Sequence, residues 1–195
     1  MKYFLSLSLI LTVITSSYSQ LDKKTWLIGG AGNFYSYSEE YISSFSNGRE
    51  KHTSIDVSAT IGYFFFDKFS VGLRPYLSTY TEGGSAVGYF DYSKFAVGPF
   101  ARYYFLKKNK PYNLLTDVSY LTGINQGRSG GNLNGVFKVF SIMVGTEVFF
   151  NSSIGIEILL GYKSQLATVD NSPNDYVRTK KGFQTSISFQ FHLTK

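Results

Sequence analysis

The chain has 195 residues and a net charge of +6; 18% of its residues are aromatic and only 16% are charged, against about 25% charged residues in an ordinary soluble domain. It has no cysteine and two histidines. A disulfide scaffold, a thiol nucleophile and a thiolate metal site are therefore excluded, and a histidine-rich metal centre is disfavoured. We expect no cofactor.

The first segment is typical of a secretory signal peptide. Lys2 precedes an apolar run over residues 3–14, and small polar residues follow up to Ser19. We predict a signal peptide over residues 1–19 and a single mature domain over residues 20–195. Beyond the signal peptide no apolar run reaches the roughly 18 residues that a transmembrane helix needs. A secreted β domain and an outer-membrane β-barrel remain as the main alternatives.

Alternation of apolar and polar side chains with a period of two dominates the rest of the chain. In residues 53–63, Ile55 and Val57 alternate with Asp56 and Ser58, as in a strand with one apolar and one polar face. The same pattern predicts about eight strands, in chain order 26–37, 53–63, 69–78, 95–105, 112–121, 140–150, 154–163 and 183–193.

The connections between these strands alternate in length. Three are tight hairpin turns, at residues 66–68, 107–111 and 151–153. Four are long and polar, at residues 38–51, 81–92, 123–135 and 164–178. Short turns alternating with long loops are typical of a bacterial outer-membrane barrel. Pro75 and Pro99 fall inside predicted strands, so we expect local β-bulges there, because proline removes a ladder donor.

The polar face predicts a closed, hydrophilic interior rather than a solvent-exposed surface. It carries mainly Ser, Thr, Gly, Gln and Tyr, whereas the outside of a soluble barrel should be rich in Lys and Glu. A one-residue slip would place Arg74 and Arg102 in hydrocarbon, at roughly 2–4 kcal/mol each near the midplane. We predict a polar network in the lumen formed by Asp56, Arg74, Arg102, Asp117, Glu147, Glu157 and Lys163.

Chain length and the aromatic residues complete the predicted fold. Eight strands of about eleven residues use about half of the mature chain, too little for a wide porin-type pore. Aromatic side chains cluster near both ends of the strands, as membrane interfaces favour. The predicted fold class is all-β, an eight-stranded antiparallel up-and-down transmembrane β-barrel with a side-chain-filled lumen.

Two stretches, residues 62–73 and residues 97–105, resemble the small outer-membrane β-barrel family of Gram-negative bacteria, the OmpA/OmpX-type group often labelled "porin family". The resemblance implies a location in the bacterial outer membrane, contact with outer-membrane lipid, insertion by the barrel-assembly machinery and no catalytic residue. Members of this family usually end in an aromatic residue. Here Phe191 is followed by four further residues.

A few residues are candidates for chemistry at the rim and in the lumen. His52, Ser54 and Asp56 share one strand face, and their spacing resembles part of a lipid A deacylase site; a plain polar rim is the alternative. His192 is expected to hydrogen-bond in the lumen. Scattered basic residues near the long loops are candidate contacts to lipopolysaccharide phosphates, namely Arg49, Lys51, Arg128, Arg178, Lys180 and Lys181.

The sequence favours a structural or adhesive protein that acts through its surface loops and has no enzyme activity. Three alternatives stay open: a narrow channel for ions or small solutes, a lipid A-modifying enzyme, and a soluble secreted β-barrel that binds an apolar ligand. Nucleic-acid binding is disfavoured because the basic residues are scattered. The partner of the surface loops is left open by the sequence.

Overall fold

The structure is a computed structural model that describes residues 20–42, 47–84, 88–128, 132–169 and 176–194. The predicted signal peptide, residues 1–19, lies outside the described residues. No helix in the described part of the chain is long and apolar enough to cross a membrane. The strands are β1 (Trp26–Ile42), β2 (Asn47–Phe66), β3 (Phe69–Leu73), β4 (Tyr76–Gly84), β5 (Gly88–Val97), β6 (Pro99–Tyr104), β7 (Tyr112–Arg128), β8 (Asn132–Phe149), β9 (Ile154–Val169) and β10 (Tyr176–Leu193).

All strand pairs are antiparallel, and the sheet meets itself where β1 pairs with β10. The segments β3 and β4 both pair with β2 and together form the third pass, while β5 and β6 both pair with β7 and form the fourth. The ten described segments therefore form eight passes in up-and-down order. The predicted eight-stranded antiparallel barrel is confirmed.

The third pass is interrupted at Pro75 and the fourth at Pro99, but neither interruption contains the predicted β-bulge. Leu73 pairs with Ile61 and Tyr76 pairs with Ser58, three residues further along each strand. The register is therefore unchanged across the interruption, and the prediction of a bulge at Pro75 is wrong. The pairs on either side of Pro99 keep their register in the same way. Proline costs a ladder donor, but no extra residue is needed to accommodate it.

The contact between the first and last strands is short. β1 pairs with β10 over five residue pairs, from Trp26↔Leu193 to Gly30↔Phe189, whereas β1 follows β2 along its whole length. We call the flanking segments, residues 31–42 of β1 and residues 176–188 of β10, the seam. Every residue from 177 to 183 is exposed, on both faces of the strand. The barrel wall is thus closed by the ladder near the short turns and not along the seam.

The outer wall is apolar and the interior is polar, as the alternation predicted. Ile55 is 44% exposed and Phe189 is 55% exposed, whereas Arg102 and Glu157 are buried. On β8 the outward apolar positions run from Phe140 into the turn at Phe150, ten residue steps that span roughly 23 Å at a ~45° tilt. This height matches the ~25 Å apolar band of a membrane barrel.

The strands extend further beyond this band than the sequence predicted. The connections expected at residues 38–51, 81–92, 123–135 and 164–178 are mostly strand, and only residues 43–46, 85–87, 129–131 and 170–175 remain outside the described residues. The physical reason is that both faces of a hairpin beyond the apolar band meet a polar environment. The ladder continues there although the apolar alternation has ended. The three short turns lie where they were predicted.

Candidate functional site

The centre of the lumen is filled by Arg102, which is 1% exposed. Its Nε donates to Asp117 Oδ2 at 3.0 Å, and its two terminal nitrogens donate to the Glu157 carboxylate. Asp117 also receives a bidentate pair from Arg74, at 2.7 and 2.8 Å. Ser188 adds a further hydrogen bond to Glu157 at 2.7 Å. Two guanidinium groups thus neutralise two buried carboxylates.

A second group of polar side chains lies below Arg102, towards the short turns. Tyr104 Oη donates to Glu147 at 2.6 Å, and His192 Nε2 lies 2.7 Å from the other Glu147 oxygen. His192 Nδ1 lies 2.9 Å from the backbone carbonyl oxygen of Gln20. Both ring nitrogens of His192 therefore face oxygen atoms, and the imidazole links Glu147 to the segment that contains Gln20.

A mostly apolar cluster extends from the turn end of the barrel into the lumen, where Met143 and Leu159 also line the cavity above Arg102. We call this cluster the base layer; it consists of the buried side chains Leu21, Leu27, Phe64, Phe100, Tyr104, Leu115, Met143, Phe149 and Leu159. Leu21 belongs to the segment before β1, which crosses the barrel end. The Leu21 carbonyl accepts a hydrogen bond from the Lys68 amide, and the Lys24 amide donates to the Phe64 carbonyl, both at 2.8 Å. The segment before β1 therefore serves as a lid on the lumen.

A cluster of charges ties this lid to the turns. Lys108 donates to Asp22 and, at 2.9 Å, to Asp67, and the Lys23 amide also donates to Asp67. The hydrogen bond from Lys108, followed by that from the Lys23 amide, lowers the pKa of Asp67. The hydrogen bonds to Asp22 and Asp67 raise the pKa of Lys108. These groups are largely exposed, so each pair stabilises the lid only slightly.

Above Arg102 the lumen opens into a cavity of about 930 Å³, which we call the vestibule. Its floor includes Arg102 and Glu157. Higher up, Tyr76 Oη donates to Asp56 at 2.8 Å, and the Lys163 ammonium lies 4.9 Å from the centre of the Tyr76 ring. Further basic side chains line the same cavity, namely Arg74, Lys94, Arg178 and Lys180.

The rim holds His52 between two strands. Its Nδ1 lies 2.9 Å from Tyr80 Oη, which donates to Glu82 at 2.9 Å, and the Tyr37 ring stacks on the imidazole with centroids 4.6 Å apart. Glu50, His52 and Glu82 bring potential ligand atoms within 4.8 Å of one another. The two carboxylates lie nearest to opposite nitrogens of one ring. This arrangement fits a hydrogen-bonded rim better than a single metal centre.

The structure does not assemble the candidate trio as a catalytic site. Asp56 accepts from Tyr76, and His52 bonds to Tyr80 across the strand pair. His52 and Ser54 stay two residues apart on one extended strand, which separates their Cα atoms by roughly 6–7 Å.

Five of the seven residues of the predicted lumen network lie in the hydrogen-bonded groups at and below Arg102, which we call the lower network. They are Arg74, Arg102, Asp117, Glu147 and Glu157. Asp56 and Lys163 lie higher, in the vestibule wall.

The candidate lipopolysaccharide contacts divide into two groups. Arg178 and Lys180 are exposed but line the vestibule, whereas Lys51 and Lys181 are exposed at positions that alternate with the lumen-facing ones. Arg49 lies in β2 and Arg128 in β7, and their side chains are outside the described residues.

Sequence reasoning missed Lys94, which lines the vestibule, because the strand there was predicted to begin at residue 95. Ala96 and Gly98 lie on the lumen-facing side of the predicted strand, so extending the alternation two residues towards the N-terminus would have placed Lys94 on the same side.

No family model and no curated protein matches this chain. Solved structures do match. Neisserial surface protein A shares 14% identity with a TM-score of 0.48, over 86% of this chain and 96% of that protein. The outer membrane protein OprG from Pseudomonas aeruginosa shares 13% identity with a TM-score of 0.46, over 89% and 98% of the two chains. The N-terminal β-barrel domain of OprF from the same organism shares 12% identity with a TM-score of 0.44, over 88% and 98%.

The decisive feature is the wall of this chain itself. Large apolar side chains are exposed on β1, β2 and all later passes, far beyond the few hundred Å² of contiguous apolar surface that a soluble monomer shows. The interior holds the buried ion pairs. The chain is an outer-membrane β-barrel. The apolar wall places its passes in contact with lipid.

Proposed function

We propose that this outer-membrane barrel is a non-conducting structural or adhesive protein that acts through the polar strands and loops above the membrane. The observation that supports it is the closed turn end. Beneath the vestibule lie the Arg102 ion pairs, then the Glu147–His192 pair, and around that pair the part of the base layer that includes Leu21, Phe64 and Phe149. In the described residues these side chains together fill the lower lumen. Breaking the buried ion pairs to open a pore would cost several kcal/mol.

Planar-bilayer recording tests this proposal. The purified wild-type barrel should insert and produce no unitary current steps. A variant that removes side chains from the ion pairs as well as from the base layer (Leu21→Ser, Phe64→Ala, Arg102→Ala, Tyr104→Ala and Glu157→Ala together) should conduct, provided that it keeps the heat-modifiable migration of a folded barrel. It serves as the positive control for insertion. Steady unitary steps from the wild-type protein would show that the lower lumen is open.

A proton conduit is a second candidate, because the polar groups form a chain through the plug. Arg74, Asp117, Arg102, Tyr104, Glu147 and His192 connect the vestibule to the Gln20 carbonyl through successive hydrogen bonds. A pH jump across liposomes that contain a pH-sensitive dye tests it. A conduit requires faster equilibration than in empty liposomes, and His192→Gln should slow it. Equal rates with and without the barrel would remove this candidate.

Lipid contact and the absence of enzyme activity are part of the same proposal. Lys51 and Lys181 are exposed on the strands above the apolar wall, where lysine side chains can reach anionic lipid phosphates. The candidate trio is not assembled for nucleophilic catalysis. Mass spectra of lipid A from cells with and without the protein should therefore be identical. A new lipid A species that appears only with the protein and disappears in His52→Ala would identify an enzyme instead.

A further inference from the structure

The vestibule carries more positive than negative charge. Arg74 and Arg102 in its wall are neutralised by Asp117 and Glu157. The remaining charged side chains that line it are four cations and two carboxylates: Lys94, Lys163, Arg178, Lys180, Asp56 and Glu82. The excess is therefore 4 − 2 = +2, held in a cavity of about 930 Å³ with low-dielectric walls. Such a cavity concentrates anions.

The cations form one group rather than a scatter. Lys94 lies within electrostatic range of three other cations, Lys180, Arg178 and Lys163, and of one carboxylate, Asp56. The ammonium groups of Lys94 and Lys163 lie over aromatic rings, 5.3 Å from Phe137 and 4.9 Å from Tyr76. Like charges repel, so an anion bound between them relieves that repulsion. A phosphate monoester, with a charge of about −1.5 to −2 at neutral pH, matches the excess.

The seam gives this vestibule a lateral side. From residue 31 of β1 and residue 188 of β10 onward, the described strands have no ladder between them. A Cβ added at Gly182 would meet nothing within 4 Å, so space is open beside Lys180. Phe183, which is 83% exposed, and Ile187 stand on the outward face of the same strand. A molecule can therefore have a polar part among the lysines and an apolar part against the outer wall.

We propose that the vestibule binds the phosphate of an anionic amphiphile from the surrounding leaflet, with its acyl chains leaving through the seam between β1 and β10. The proposal deepens the lipid contact within the proposed function, because it assigns the headgroup to the lumen side of the barrel. Lys94 contacts the phosphate from β5, across the barrel from the seam, whereas Lys163 contacts it from β9, next to Gly182, and Lys180 and Arg178 contact it from the β10 edge. The acyl chains remain in the hydrocarbon layer, so only the headgroup is desolvated.

The test measures binding of dilauroyl phosphatidic acid to the purified full-length barrel in detergent, by native mass spectrometry and calorimetry. Dilauroyl phosphatidylcholine and inorganic phosphate are the comparison ligands. Phosphatidic acid should bind at least tenfold tighter than either. The double variant Lys94→Gln and Lys163→Gln should lose at least tenfold of that affinity. The matched control, Lys138→Gln and Lys181→Gln, removes two exposed cations from outward positions and should change affinity by less than twofold.

Closing the seam provides a second measurement with no change of charge. The chain has no cysteine, so Phe34→Cys and Thr185→Cys, which continue the β1–β10 register, introduce a single cross-link. The oxidised protein should lose phosphatidic acid binding at least tenfold while binding inorganic phosphate as the reduced protein does.

Equal loss in the control lysine variant would place the site on the outer wall. Unchanged binding after oxidation, or equal affinity for phosphate and phosphatidic acid, would also overturn the proposal. Each of these results leaves the bilayer test of the plug unaffected.

Discussion

Replacing Arg102 with methionine should unfold the barrel more readily than any other single change in the lumen network. The side chains of Arg102 and Glu157 are each 1% exposed. Without the guanidinium, Glu157 keeps hydrogen bonds from Ser188 and Gln190 but loses its only neutralising cation among the described contacts. Leaving a buried charge unpaired costs about 3–5 kcal/mol. Arg102→Met should therefore lower the free energy of unfolding by that amount.

Arg74→Met is the matched control for this prediction. Arg74 is 14% exposed, and Asp117 would still receive the Arg102 Nε, so the expected loss is about 1–3 kcal/mol. The second control is the double variant Arg102→Met and Glu157→Gln. It removes both charges and should recover at least ~1 kcal/mol relative to Arg102→Met alone, since the carboxylate that lost its partner is gone.

Urea unfolding in phospholipid vesicles measures these differences. Trp26 is the only tryptophan; it lies on the outward face of β1, 44% exposed and in edge contact with Tyr63. Its fluorescence reports the transfer from lipid to water. The reasoning is refuted if Arg102→Met is as stable as the wild type. Strict additivity of the double variant would likewise show that Arg102 and Glu157 are not coupled.

Two further predictions concern packing and pH. A Cβ at Gly145 would lie 2.0 Å from the Ile158 carbonyl oxygen, whereas one at Gly182 meets open space. Gly145→Ala should therefore cost about 1–3 kcal/mol, while Gly182→Ala, its control, should leave the unfolding midpoint unchanged. Because the pKa of Asp67 is lowered in the folded chain, its contribution is present above its ordinary pKa and is lost as the pH falls through the lower folded value. Unfolding should be slightly easier at pH 3 than at pH 7, by less than about 1 kcal/mol, and Lys108→Gln should remove most of that difference; an unchanged pH dependence in Lys108→Gln would contradict this assignment.

The sequence predicted the wall well because a period of two is visible wherever one face meets lipid and the other does not. Ile55 and Phe189 were placed outside, and Arg102 and Glu157 inside, from alternation alone. The same rule failed above the membrane. There β7 continues to Arg128 and β8 starts at Asn132, although Asn125 and Asn134 carry no apolar signal, because the backbone ladder does not require one.

The alternation of apolar and polar residues could not predict which lumen side chains contact one another. The pattern places Arg102 and Glu157 on one face of their strands, but β6 and β9 are not neighbours in the sheet, so their contact depends on the bore of the barrel. The sequence likewise did not indicate that the segment before β1 forms a lid on the lumen. Leu21 is an isolated apolar residue beside charged neighbours, and its burial follows from hydrogen bonds of its backbone to the turn at Lys68. Such contacts depend on closure of the sheet rather than on local sequence.

The lower lumen and the vestibule therefore differ in what their charges do, and this difference can be tested. In the lower network each guanidinium is neutralised, so its removal should destabilise the fold. In the vestibule Lys94 lies near three like charges, Lys163, Arg178 and Lys180, and one opposite charge, Asp56, so Lys94→Gln with Lys163→Gln should leave the free energy of unfolding equal or raise it. Residues that serve binding commonly reduce stability in this way. If the double lysine variant were instead several kcal/mol less stable, measured by the Trp26 assay, these lysines would be part of the structural network and the two-part description of the lumen would be wrong.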